Sequence, residues 1–172
     1  LADPNEMAAG TAASATLMAE FLPIAADRRA HPGDDLFSFI AGDPALSLDE
    51  VVTTAILLAV AGHETTANLL GAAMLTLLAR DADGVRIADR IDPDDPALVT
   101  ELIRLDAPVQ STVRTATTTH HLEGVTIEAG QSVLVAVAAA NRDPAVFDEP
   151  GRFRLDRNGP APLSFGYGAH YC

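Results

Sequence analysis

Apolar and polar positions follow two regimes along this chain. Up to about residue 106 apolar residues recur at helical spacing, and from Ser111 to Ala136 they alternate with polar ones, as in strands. Residues 11–30 are rich in Ala, place Leu17, Phe21 and Ile24 at helical spacing, and end at His31-Pro32-Gly33. Asp34 to Ile40 reads as a short amphipathic helix, and Gly42-Asp43-Pro44 as a turn. Ser47 and Glu50 form a capping-box pattern that opens a proline-free apolar run to about Arg80. Roughly 33 residues at 1.5 Å each make a helix of about 50 Å. It is apolar on nearly all sides, which predicts a course through the interior. Residues 96–106 read as a further helix, with Asp95 at the N-cap, Pro96 in the first turn and Pro108 as the stop. Val113, Thr115 and Thr117 alternate, and Gly124 and Gly130 mark turns around Val125-Thr126-Ile127. The stretch from Asn141 to Pro162 is dense in Pro, Gly, Asp and Arg and reads as ordered loop. The predicted fold is mainly α with a small β region, in one domain over residues 1–172, with one very long buried helix at about 47–80.

Charge and composition narrow the function classes. The 172 residues carry a formal net charge of −13, and an acidic surface repels phosphate, which argues against nucleic acid and anionic membrane as partners. The long helix is apolar enough to raise a membrane span, but His63 and Glu64 lie at its centre. Placing them in lipid would cost several kcal/mol, and its flanks carry no positive cluster. Cys172 is the single cysteine, so no intrachain disulfide forms. With no positive segment leading into an apolar run near the start, the expected location is cytoplasmic.

Three constellations carry candidate chemistry. The first is Ala61-Gly62-His63-Glu64-Thr65-Thr66 inside the long helix. Gly62 costs about 1 kcal/mol relative to Ala there, and it lets a ligand approach the backbone. Thr65 and Thr66 can bond back to carbonyls and open the helix locally, giving a kinked helix with a ligand groove. The plainer reading is a packing glycine among solvated neighbours. His63-Glu64 begins like H-E-x-x-H, but Ala67 stands where the second zinc ligand would be. The second constellation is Glu101-Leu102-Ile103-Arg104, an i,i+3 pair flanked by apolar residues, a spacing common to many helices. The third is Phe165-Gly166-Tyr167-Gly168-Ala169-His170-Tyr171-Cys172, a glycine loop able to aim N–H groups at a thiolate. Its plainer readings are a loop ending in an inert cysteine, or a zinc site through His170 and Cys172 with His120 and His121, which lacks a second Cys-containing pair.

In this order and spacing, A-G-x-E-T-T, E-x-x-R and F-G-x-G-x-H-x-C resemble the signature set of the cytochrome P-450 family, soluble bacterial type. Asn141-Arg142-Asp143-Pro144, Phe147 and Pro150-Gly151-Arg152-Phe153 also resemble the family's loop before the cysteine. The resemblance covers essentially the whole chain and implies an incomplete fold, the C-terminal half of the catalytic domain ending at the metal-ligand cysteine. It implies a monooxygenase that, at full length, inserts one oxygen atom of O2 into a small hydrophobic organic substrate. The cofactor would be heme b (iron protoporphyrin IX), with electrons from NAD(P)H through ferredoxin reductase and ferredoxin. By the same resemblance Cys172 would be the iron's thiolate ligand, with Phe165 packed near the sulfur and Gly166 and Gly168 passing close beneath the ring. His170 and Arg114 would bind heme propionates. Ala61 and Gly62 would form the oxygen-binding groove, and Glu64 and Thr65 would relay protons to it. Glu101 and Arg104 would be a structural pair, joined by either Arg152 or Arg157. Val109, Gln110, Ser111 and Thr112 lie where the family contacts substrate. Presented alone, the chain is expected to bind heme poorly and not turn over. The alternative is a heme-binding or structural relative without turnover.

Overall fold

A computed structural model describes residues 3–80 and 83–172. They divide into two compact units, one running to Glu64 and the other from Thr65 to Cys172.

In the first unit, helix α1 spans Pro4–Ala30. It starts earlier than the predicted residue 11, because Asp3 caps it by accepting from the Asn5 N–H at 2.8 Å and Pro4 sits in the first turn. Among the described residues α1 is the one helix long and apolar enough to cross a membrane, by length and composition. Helix α2, Leu36–Ala41, begins at Asp35, whose carboxylate accepts from the Ser38 N–H at 2.8 Å. The core gathers Ala25, Ala41, Val51 and Val52, with Phe21, Phe37, Ile40, Leu46, Leu48 and Ile56 packed around them. Arg29 ties the connection after α2 by donating to the carbonyls of Ala41 and Leu46, at 2.8 and 2.7 Å.

Helix α3 spans Leu48–Leu78 and opens on the expected capping box. The Glu50 N–H donates to Ser47 Oγ at 3.3 Å, and the Ser47 N–H donates to the Glu50 carboxylate at 2.8 Å. Two sequence expectations about α3 need correction. The helix is continuous through Ala61–Thr66 and shows no opening there, since a threonine can bond one turn back without breaking the ladder. Nor is the helix buried: Val51, Val52 and Ala73 are its buried positions, while Leu57, Val60, Leu70, Met74 and Leu75 are exposed. Apolar periodicity reports what a helix can bury, and the described residues supply cover for only part of that surface.

In the second unit, helix α4 spans Leu98–Leu105, two residues later than predicted. Asp95 instead builds the preceding turn, accepting from the Ala97 N–H at 2.8 Å. The β region forms two two-stranded antiparallel sheets: β1 (Thr112–Thr115) pairs with β4 (Ser132–Val135), and β2 (His120–Leu122) with β3 (Val125–Ile127). A short helix α5, Val137–Ala140, follows β4. The remaining chain to Cys172 is loop with one 3₁₀ turn at Leu163–Phe165.

Candidate functional site

The site is built outward from α4. Five residues of this eight-residue helix are buried, including the charged pair Glu101 and Arg104. A buried arginine must satisfy five N–H donors or lose their solvation uncompensated. Arg104 satisfies all five. Its Nε and one Nη2 hydrogen reach the two oxygens of Glu101 at 2.7 and 2.8 Å. Nη1 donates to the carbonyls of Asn141 and Pro150, both at 2.8 Å, and Nη2 also donates to that of Arg152 at 3.1 Å. The guanidinium lies over the Phe147 ring, 5.2 Å from its centroid.

Glu101 is equally engaged. Its Oε1 also accepts from the Arg154 N–H and from Arg157 Nε, each at 2.9 Å. Burial pushes its carboxyl up, but the bonds from Arg104, Arg157 and the Arg154 N–H outweigh it and hold the group below the ordinary glutamate value of 4.5. The choice between the two candidate arginines is therefore settled in geometry. Arg157 joins the pair by its side chain, while Arg152 contributes its carbonyl and turns its own guanidinium to Glu149.

A second buried group, which sequence reasoning named only as part of the loop before the cysteine and gave no role, extends this platform to the cysteine loop. Asn141 is fully buried. Its Oδ1 accepts from the Leu163 N–H at 2.7 Å and its Nδ2 donates to Ser164 Oγ at 2.8 Å. Ser164 Oγ donates in turn to the carbonyl of Ile103 in α4, at 2.8 Å. The loop Phe165–Cys172 leaves directly from this anchor. The Gly166 N–H closes on the Leu163 carbonyl at 2.8 Å, and the Cys172 N–H on the Phe165 carbonyl at 3.0 Å. Gly166 and Gly168 have φ of 78° and 87°, the region where a side chain is strained. Phe165 and Tyr171 pack ring to ring at 6.3 Å. Cys172 is a free, exposed thiol, and His170 is exposed.

Thr65 and Phe165 share a small pocket of about 110 Å³, lined also by Thr66, Leu69, Ile103, Pro108 and Ser164. The pocket admits small molecules but no macrocycle. Ala61 and Gly62 are exposed on α3, as is Glu64, and a side chain added at Gly62 would meet nothing within 4 Å. Arg114 is exposed on β1 and folds back on its own strand, donating to Thr112 Oγ1 at 2.6 Å and to the Val113 carbonyl at 2.9 Å. Gln110 donates to the Ala107 carbonyl at 3.1 Å. His120 and His121 lie in β2, and no metal-holding group of three or more His, Cys, Asp and Glu side chains occurs among the described residues. An exposed soft sulfur on a glycine loop fits a metal that carries other ligands of its own, as iron in a porphyrin does.

A chain of this architecture, with a cysteine loop hung from a buried Glu-Arg-Arg cluster, has clear counterparts. The sequence model described as Cytochrome P450 matches residues 96–172. The chain is 37% identical over 158 residues to the biotin biosynthesis cytochrome P450 of Bacillus subtilis, covering 90% of this chain and 40% of that protein. It is 39% identical over 150 residues to the 6-deoxyerythronolide B hydroxylase of Saccharopolyspora erythraea, covering 84% of this chain and 37% of that protein. Among solved structures, ligand-free cytochrome P450 TbtJ1 matches 99% of this chain and 46% of its own, with a TM-score of 0.88 at 36% identity. P450BioI, solved with an acyl carrier protein ligated to hexadec-9Z-enoic acid, matches 99% of this chain and 44% of its own, with a TM-score of 0.86 at 36% identity. The chain belongs to the cytochrome P450 family, and it spans about 40% of the length of these curated relatives.

Proposed function

We propose that this chain supplies the thiolate loop and the oxygen-side helix of a heme-thiolate monooxygenase acting on a small hydrophobic organic substrate. The observation that carries this reading is the free Cys172 thiol at the end of a glycine loop, fastened through Ser164 and Asn141 to a fully satisfied buried ion cluster. Bound heme b would supply O2 activation, and a thiolate ligand favours O–O cleavage there.

The chain's own residues have the following roles. Cys172 would hold the iron through sulfur, with the Phe165 ring beside that sulfur. Gly166 and Gly168 would let the loop backbone lie close to the heme. His170 and Arg114 would bind the propionates. Arg114 would have to leave Thr112 for this, and its forked donors suit a carboxylate. Ala61 and Gly62 present a groove without bulky side chains. Thr65, one turn beyond Ala61 on the same helical face, hands on a proton drawn through the Glu64 carboxylate. Glu101, Arg104 and Arg157 are structural. Electrons come from NAD(P)H by way of ferredoxin reductase and ferredoxin, in the cytoplasm. Alone, the 172 residues retain heme weakly, because Phe165, Tyr167 and Tyr171 around the loop are exposed.

The test is Thr65→Ala in a full-length protein carrying this stretch. Heme retention should stay near that of the parent while substrate oxidation falls and electrons drain to reduced oxygen. A Thr65→Ala variant that oxidises substrate with unchanged coupling contradicts the proton role.

A further inference from the structure

We infer that Asn141 and Ser164 are positioning residues that set where the cysteine sulfur meets its metal, an inference that rests on the heme-thiolate reading above. Asn141 is fully buried, and a buried amide that loses its partners pays a desolvation penalty it cannot recover. It is bonded at both ends of the amide, to the Leu163 N–H at 2.7 Å and to Ser164 Oγ at 2.8 Å. Its own carbonyl takes one of the five Arg104 bonds, at 2.8 Å. Ser164 passes the link to α4 through the Ile103 carbonyl at 2.8 Å.

The position of these bonds matters more than their number. Leu163 and Ser164 are the two residues before Phe165, and the Phe165 carbonyl holds the Cys172 N–H at 3.0 Å. Hydrogen bonds therefore run from Arg104 through Asn141 to Ser164, and the next residue, Phe165, holds the Cys172 N–H. The Glu101 cluster fixes the loop around residues 150–157, whereas the Asn141–Ser164 link fixes Leu163 and Ser164, where the sulfur-bearing loop begins. Beyond Ser164 the loop is exposed, so no comparable buried anchor acts on it from within this unit. Groups that orient a metal ligand in this way shift affinity and ligand character without touching the metal.

The experiment uses a full-length protein carrying this stretch, loaded with heme and reduced under carbon monoxide well below its melting temperature. Ser164→Ala should convert part of the strongly red-shifted thiolate band to the thiol-ligated form and weaken heme retention by about 10-fold or more. Ser164→Thr, which keeps the hydroxyl, should restore both. Asn141→Ala should give the larger effect of the same kind, and if it fails to fold, the Ser164 pair decides. A Ser164→Ala protein with a lowered melting temperature but a parental spectrum and parental heme retention overturns the inference. Absence of the thiolate band in the parent would instead overturn the heme-thiolate reading itself.

Discussion

Helices α3 and α4 divide the work of this chain unequally. Helix α4 has eight residues, five of them buried, and its charged pair is completely satisfied within the second unit. Helix α3 has 31 residues with Val51, Val52 and Ala73 buried, and Leu75 is 77% exposed. The long helix looks like the core of the molecule in sequence, yet the short one with the buried charged pair is the better anchored. Bonding within the second unit accounts for this. Arg104 finds every partner between residues 101 and 152, whereas an all-round apolar helix needs cover on every side.

The largest effect that could break this contrast is at Arg104. Arg104→Ala leaves Glu101 buried without its main partner, and removing one member of such a pair costs about 3–5 kcal/mol. Chemical denaturation should show that loss, and a change near zero would mean that α4 is no better anchored than α3. A second expectation concerns acid. The Glu101 carboxyl sits below its ordinary 4.5 in the folded state, so its contribution is fully present above that value and is lost as pH falls through the lowered one. Glu101→Gln should flatten the acid limb of the stability curve below pH 4.5, at the expense of stability at neutral pH. The smallest effect belongs to α3. Leu75→Gln in the 172-residue chain should change stability by within about 0.5 kcal/mol, as for an exposed site. A larger loss would show that this face is already covered.

How far the sequence revealed this arrangement depends on the range of each contact. The Ser47–Glu50 capping box is legible because both partners lie within one turn, and the Glu101–Arg104 pair is legible for the same reason. The glycine loop before Cys172 is legible from residue types alone. The Asn141–Ser164 link joins residues 23 apart, from the start of a stretch that reads as ordered loop to just past its end, so no periodicity marks it. Similarly, Arg152 and Arg157 are equivalent in sequence, and only the path of the chain back over α4 assigns the side chain of one and the carbonyl of the other. Helix α1 begins seven residues before its apolar pattern does because Asp3 and Pro4 start it by capping rather than by amphipathicity. The exposure of α3 departs from the sequence expectation for a different reason: apolar composition records a capacity for contact and says nothing of whether the contacting segment is at hand.

The central claim is that Cys172 is the sulfur ligand of a heme iron. The carbon-monoxide difference spectrum of the reduced full-length protein carrying this stretch tests it most directly, with Cys172→Ser alongside. The parent should show the strongly red-shifted thiolate band, and Cys172→Ser should lose it. A band that survives in Cys172→Ser, or one absent from a heme-loaded parent, would contradict it.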